Sequence, residues 1–276
     1  MVKNLKITVL VDNVANESLL CEWGLSILIE VDSTKILLDT GASDMFSINA
    51  KYLNIDISNI DIGVLSHAHF DHANGLDTFF LLNKKAQFLI RKECEENCFG
   101  IENGKLEYCG IRHGILNKYC DRLYRISDSI YEISNSIWLV NHRRLDYSQI
   151  ALRNELYIKK NGNYILDDFS HEQSLVIDTE NGLVVFNSCS HTGVNNTLID
   201  ISNTLNRNDI YAYVGGLHLY KFNDNELNII CNEIKNNKIK HIITGHCTEK
   251  HAYDFLRHEL NNRIIQFSSG FTYTFC

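Results

Sequence analysis

The chain has 276 residues, 45% of them apolar and 10% aromatic, which is enough to bury a full core as one large domain and excludes a disordered chain. Its formal net charge of −8 offers no basic footprint for displacing phosphate counterions, so a nucleic-acid partner is not expected. No run of about 18 apolar residues marks a membrane span. The N-terminus enters strand-like alternation without a signal core, so a soluble cytoplasmic protein is expected.

Residues 5–11, 25–31 and 35–39 read as strands, the last two joined at Asp32-Ser33 as a hairpin. A helical pattern over 44–53 precedes a strand at 62–66, and a second helix over 73–82 leads to a strand at 87–91. The stretch 92–125 reads as an irregular insertion, with Arg91, Lys92, Arg112 and Arg122 as candidate contacts for an anionic substrate. Strands follow at 129–140, 156–166, 174–178 and 183–187, with Asn161-Gly162 and Asn181-Gly182 as hairpin turns. The chain closes with helix 194–205, strand 211–214, helix 226–236, strand 241–244, helix 248–260 and a strand near Ile264. Two β-rich halves, each followed by helices, predict an α+β sandwich.

Nine cysteines, an odd number, in a chain without a secretion signal point to reduced thiols. Cys94, Cys98, Cys109 and Cys120 with His113 are a candidate second metal site, although their spacing fits no standard knuckle.

The chemistry concentrates in His67-Ala68-His69-Phe70-Asp71-His72, four potential metal ligands in six residues at the end of an apolar run. His67 and His69, two apart, project alike, while Asp71 and His72 lie where the chain turns into a helix, so one pair can face one metal and the next pair a second. Imidazole and carboxylate without thiolate suit an open, catalytic zinc, manganese or iron site better than a closed structural one. The rest of the site is sought where strands end in histidine or cysteine. Thr244-Gly245-His246 places His246 at a strand's carboxyl end, and Cys189-Ser190-His191 offers a thiol and an imidazole at another. His218, after Gly215-Gly216, is open between ligand, substrate contact and core residue, and His171 is the alternative to His191. Asp39, ending an apolar strand, is placed to accept a proton from a ligand imidazole. His113, His142, His241, His251 and His258 have no comparable context.

Through Leu38-Asp39-Thr40-Gly41, the His67 to His72 motif and Thr244-Gly245-His246, the chain resembles the metallo-β-lactamase superfamily along nearly its whole length. It looks most like the branch named after dihydropterin-ribofuranosyl-aminobenzene phosphate synthase, through Glu22-Trp23-Gly24-Leu25-Ser26, Cys189-Ser190-His191-Thr192-Gly193, Gly215-Gly216-Leu217-His218-Leu219 and Gly245-His246-Cys247-Thr248. The resemblance implies an αββα sandwich and two divalent metal ions, zinc foremost. His67 and His69 would serve the first, and Asp71, His72 and His246 the second. The chain departs from the superfamily where many members carry a bridging aspartate, since Ser188-Cys189 stands there. The third ligand of the first metal is His171 by superfamily spacing or His191 by the branch's own motif. The implied activity is hydrolysis of an ester, phosphoester or lactone bond in a small molecule, with Asp71 and His218 catalytic. The branch's synthase reaction is the alternative. A flavodiiron-like redox role is less expected, since those proteins typically carry a carboxylate where this chain has His69.

Overall fold

The computed structural model describes residues 1–16, 18–142, 147–237 and 239–275. Period-two alternation decides the architecture. In Leu5–Val11, Ile7 and Val9 point into a core between two sheets while Leu10 points outward, and in Gly182–Phe186 the even and odd positions divide in the same way. Strands apolar on both faces need cover on both, and helices supply it.

The first sheet runs Thr272–Phe275, Leu5–Val11, Ser26–Val31, Thr34–Leu38, Ile62–Val64, Gln87–Arg91, Leu123–Ile126. Its first four strands are antiparallel and the remaining pairings are parallel. The second sheet runs Ile264–Gln266, His241–Thr244, Ile210–Val214, Gly182–Phe186, Gln173–Thr179, Ile137–Asn141, Ile130–Ser134, parallel in its first four strands and antiparallel beyond. Helices Met45–Tyr52 and Leu76–Leu82 bury Phe46, Ala50, Leu76, Phe79 and Phe80 on the outer face of the first sheet. Helices Val194–Leu205, Asp224–Asn236 and Glu249–Leu260 cover the second sheet with Leu198, Ile201, Leu227, Ile234 and Leu256. The result is the expected αββα sandwich. Among the described residues no helix is long and apolar enough to cross a membrane.

Several boundaries differ from the sequence reading. The stretch 92–125 is not irregular: Cys98–Glu102 and Lys105–Tyr108 form a hairpin through Asn103-Gly104, both at positive φ. That hairpin pairs with Leu156–Lys160 and Asn163–Leu166 in a third, four-stranded sheet, and Leu123–Ile126 joins the first sheet. Its side chains are half-exposed and mixed in polarity, so no alternation betrayed it. The strand read at 129–140 is two, turning at Asn135-Ser136. The helix read at 73–82 is broken at Asn74-Gly75 into Phe70–Ala73 and Leu76–Leu82. Helix Ser148–Asn154 and edge strand Thr272–Phe275 went unread because they are short.

The break has a packing cause. A Cβ on Gly75 would stand 2.1 Å from the Thr40 carbonyl oxygen and 2.6 Å from that of Ser43, both backbone atoms of the loop after Thr34–Leu38. Gly75→Ala is therefore expected to cost about 1–3 kcal/mol of stability, read as a lower denaturant midpoint at unchanged slope.

Candidate metal centre

The candidate ligands of the two-metal site, His171 excepted, and Asp39 follow the carboxyl ends of strands in the central, mostly parallel part of the two sheets. Asp39 follows Thr34–Leu38, and His67 to His72 follow Ile62–Val64. Cys189 and His191 follow Gly182–Phe186, His218 follows Ile210–Val214, and His246 follows His241–Thr244. Open α/β sheets place ligand sites at such ends. Asp39, Ser190, His218 and His246 adopt positive φ there, a conformation that the surrounding structure must hold in place.

The side chains converge. His67 Nε2 lies 3.2 Å from His191 Nε2, and the His69 ring packs 4.7 Å from that of His67 and 4.6 Å from that of His191. Beside them, His72 Nε2 is 3.2 Å from Cys189 Sγ and 3.5 Å from Asp71 Oδ2, which is itself 3.4 Å from His246 Nε2. Ligand atoms of His67, Cys189 and His191 fall within 4.8 Å of one another, as do those of His72, Cys189 and His246. Cys189 thus stands between the two groups, where the bridging carboxylate was missing from the sequence.

The hydrogen bonds behind these rings select their tautomers. His72 Nδ1 donates to Asp39 Oδ2 at 2.8 Å, His67 Nδ1 to Ser66 Oγ at 2.8 Å and His246 Nδ1 to Asn13 Oδ1 at 2.9 Å. Nε2 of His67 and of His246 then turns an unprotonated lone pair toward the cluster, the arrangement that metal-binding imidazoles require, and His72 Nε2 does so once a cation displaces its second proton. Asp39 also accepts from Ser66 N and Ser66 Oγ, both at 2.7 Å. Asn13, Ser66 and Asp12, which accepts from His246 N at 2.9 Å, were not read from the sequence. A short polar residue after a strand carries no signal until the strands are placed. Buried His69 Nε2 and His246 Nε2 have no hydrogen-bond partner, as expected of atoms meant for a cation. The donor set fits divalent metal.

His171 sits beside it with partners of its own. Its Nε2 lies 3.0 Å from Asp167 Oδ2 and its Nδ1 accepts the Ala68 N–H at 3.2 Å. With Nδ1 an acceptor, Nε2 carries the proton and both nitrogens are used. His69, Cys98, Asp167 and His171 lie within 4.8 Å of one another beside the centre, with His171 Nε2 paired to Asp167. Among the described residues, Cys94, Cys98, Cys109, Cys120 and His113 are not gathered into a metal-holding group, and Cys120 is exposed. The eight described cysteines carry free thiols. His142 is buried on Ser174, while His113, His251 and His258 are exposed.

A cavity of about 920 Å³ opens beside the centre, lined by Trp23, Phe70, Tyr108, Arg112, Tyr220 and Lys221 among others. Trp23 packs 5.6 Å from the His246 ring and 5.9 Å from Tyr220, which packs 5.1 Å from His218. Of the cations expected to meet an anionic substrate, only Arg112 lines this cleft, paired with Asp77 at 3.2 Å. Arg91 is buried against the Asp128 carbonyl, Arg122 holds the Ala86 carbonyl, and Lys92 lies near Glu93. None of those three lines the cleft.

Burial and the surrounding imidazoles push His67 and His191 well below their ordinary range. Burial, with His171 next, takes His69 to about 4. His72 runs the other way: burial opposes its charge, but Asp71 and Asp39 outweigh that and hold it up to about 10.

An αββα sandwich with this cluster at its central strand ends is the architecture of metal-dependent hydrolytic folds. A sequence profile of the metallo-β-lactamase superfamily matches residues 24–112. The crystal structure of Tm1679, titled a metal-dependent hydrolase of the β-lactamase superfamily, aligns over 98% of both chains at 31% identity with a TM-score of 0.82. The chain belongs to the metallo-β-lactamase superfamily. It is also 28% identical, over 98% of its length and 96% of the relative's, to the 7,8-dihydropterin-6-methyl-4-(β-D-ribofuranosyl)-aminobenzene-5'-phosphate synthase of Methanocaldococcus jannaschii. The metallo-β-lactamase fold protein YhfI of Bacillus subtilis aligns over 99% of both chains with a TM-score of 0.58 at 11% identity, a likeness of fold alone.

Two outcomes follow from the hydrogen bonds and the charges. Asp39→Asn is expected to weaken metal affinity about 10–100-fold with the fold retained, measured by competition with a chromogenic chelator. For stability, a histidine whose folded value lies below its unfolded 6.5 contributes stability that is complete above 6.5 and lost as pH falls through the folded value. His69 falls in this class at about 4, and burial lowers His67 and His191 in the same direction. Asp12, held up to about 7 by burial, has the opposite sign but is outnumbered. Chelator-treated protein is expected to lose stability steadily from pH 6.5 to 4 in a melting series; a flat profile would contradict the neutral-imidazole assignment.

Proposed function

We propose that the chain is a metal-dependent hydrolase acting on an ester, phosphoester or lactone bond of a small molecule, with His67, His69 and His191 around one ion and Asp71, His72 and His246 around a second. The proposal rests on His67 and His191 on one side and His72 and His246 on the other gathering about Cys189, with the rings of His67, His72 and His246 oriented from behind by Ser66, Asp39 and Asn13. Two divalent ions held there, zinc first and manganese or iron by the same donor chemistry, would supply a water of lowered pKa and a Lewis acid for the scissile oxygen.

Asp71 keeps its charge: burial would raise its carboxyl, but His72 and His246 hold it well below the usual range. It is therefore an acceptor at neutral pH that orients the attacking water. His218, whose ring packs 4.3 Å from that of His191, is taken by burial, with His69 and His246 next, to about 3. A neutral imidazole is a poor proton source for a leaving group, but its N–H can meet the oxygen on which negative charge develops. Trp23 and Tyr220 form the aromatic wall along which a ring-bearing substrate would lie.

A second reading, the non-hydrolytic synthase reaction, is supported by the name of the 28% identical relative. The same centre would then polarise and orient two phosphorylated partners. Steady-state assays with phosphodiester, ester and lactone panels against a pterin and ribosyl-aminobenzene pair separate the two readings.

Elemental mass spectrometry of protein purified without added metal is expected to find about two ions per chain, and fewer in Cys189→Ser. His69→Ala and Asp71→Ala are expected to lose turnover by about 10³-fold or more with melting behaviour retained. Full turnover in either variant would sink the assignment.

A further inference from the structure

The large cleft beside the centre is lined by three carboxylates, Glu102, Glu107 and Glu249, and among the described residues none of them has an ion-pair or hydrogen-bond partner at its side chain. The cations on the same walls are already paired: Arg112 with Asp77 at 3.2 Å, Lys221 with Glu155 at 3.0 Å and His113 with Glu96 at 3.6 Å. Strand register turns two of the free carboxylates to the cleft. Glu107 stands opposite Gly100, Gly100 stands opposite Leu156, and Glu102 is two residues from Gly100, so all four share one face of the third sheet, and all four line the cleft. Lys105, opposite Glu102, lies outside that lining and pairs with neither glutamate. On the aromatic wall, Trp23 and Tyr220 meet edge to face, with centroids 5.9 Å apart and planes at 82°, and form a corner. Asn154, only 5% exposed, borders the same space, and its Oδ1, an acceptor, has no partner.

We propose that the substrate carries a cationic amine, and that the large cleft receives this ammonium group between Glu102, Glu107 and Glu249, the aromatic corner of Trp23 and Tyr220, and Asn154 Oδ1. The proposal names the substrate class of the hydrolase reading above and rests on that reading for its role in turnover. An ammonium has three N–H donors and no acceptor, so every feature it meets here is of the right kind: carboxylate, amide oxygen and the electron-rich face of an aromatic ring. An anion would meet the unpaired carboxylates while the cations are already neutralised. Exposed glutamates by themselves are ordinary surface. These differ in sharing a cleft with an aromatic corner and with a buried acceptor that the protein leaves unused. Because Trp23 packs on His246 and Tyr220 on His218, a group held in the corner stands beside the cluster at which the scissile bond would lie.

Glu102 and Glu107 are the positions to test, because Glu249 also stands in the first turn of helix Glu249–Leu260, where a carboxylate supports folding. Three probes that share one ring and differ in charge, benzylammonium, benzyl alcohol and benzenesulfonate, are titrated calorimetrically into the metal-loaded protein. The proteins compared are wild type, the double variant Glu102→Gln/Glu107→Gln, and Glu132→Gln/Glu180→Gln, which removes two exposed carboxylates outside the cleft lining. A carboxylate about 4 Å from a cation in water is worth about fivefold in affinity. Wild type is therefore expected to bind benzylammonium about tenfold or more tighter than benzyl alcohol, with benzenesulfonate weakest. The double variant is expected to bring benzylammonium within about twofold of benzyl alcohol at an unchanged melting temperature, and the control pair to keep the wild-type preference. Equal affinity for benzylammonium and benzyl alcohol in wild type, a preference that survives in the double variant, an equal loss in the control pair, or no binding of any probe overturns the proposal. Because the titration needs no turnover, failure of the cation preference in a protein that still hydrolyses esters would leave the hydrolase reading standing. Absence of hydrolysis across the ester, phosphodiester and lactone panels would sink that reading while the preference for benzylammonium could still be measured.

Discussion

The carboxylate of Asp39 is fully buried, and the geometry of the centre hangs on the three hydrogen bonds it accepts. Two come from Ser66, through its backbone N–H and its hydroxyl, and one from His72 Nδ1. Because Ser66 Oγ also receives His67 Nδ1, a single anion orients one ring of each metal group. A charge with no solvent contact costs several kcal/mol unless its lone pairs are satisfied, and here the partners also fix imidazole tautomers, so the expense is shared with function. The neighbouring Thr40 ties down the same loop, with its N–H and hydroxyl both donating to the His72 carbonyl. On the other flank, Glu22 accepts from Ala42 N and Ser43 N, holding the turn that follows. The first-sheet half of the site is thus a set of crossed loops tied to one another by these bonds.

The second-sheet half is built differently. Cys189 occupies the shared position, and its thiol is pushed well above the ordinary range by burial, with Cys247, 3.4 Å away, adding to the effect. In the proposed centre a metal at Cys189 would have to displace the thiol proton, so occupancy should depend on pH more steeply than in a centre bridged by a carboxylate. Thiolate is also the softer ligand and favours zinc over manganese at that position. The loop strain at His218 and His246 is paid for by backbone bonds of the adjoining turns, such as Leu219 N to the Cys247 carbonyl.

Around this centre the scaffold divides its labour. The sandwich places strand ends, whereas the small third sheet and helix Ser148–Asn154 close the cleft over them, contributing Gly100, Tyr108, Leu156 and Asn154. Elements that shape the cavities are short, half-exposed and polar, and the centre itself sits on strands buried on both faces. Substrate choice can therefore vary without disturbing the metal geometry.

The pattern of apolar residues determined the sandwich, because strands buried on both faces and helices with one apolar stripe announce themselves by period. Cys189 at the strand end after Phe186, His246 after Thr244 and the dense His67 to His72 run were legible for the same reason: a ligand-type residue closing an apolar strand is a local signal. The setting of His171, against that of His191, was not local. It depends on Asp167 and the Ala68 N–H consuming both nitrogens of one ring, contacts made by residues up to about a hundred positions apart. The roles of Asn13 and Ser66, the scaffold contacts of Arg91 and Arg122 and the hairpin of Cys98–Glu102 with Lys105–Tyr108 likewise follow from which loops meet. Sequence periodicity reports which face of an element is buried, and only the packed fold decides what that face, or the loop beyond it, is buried against.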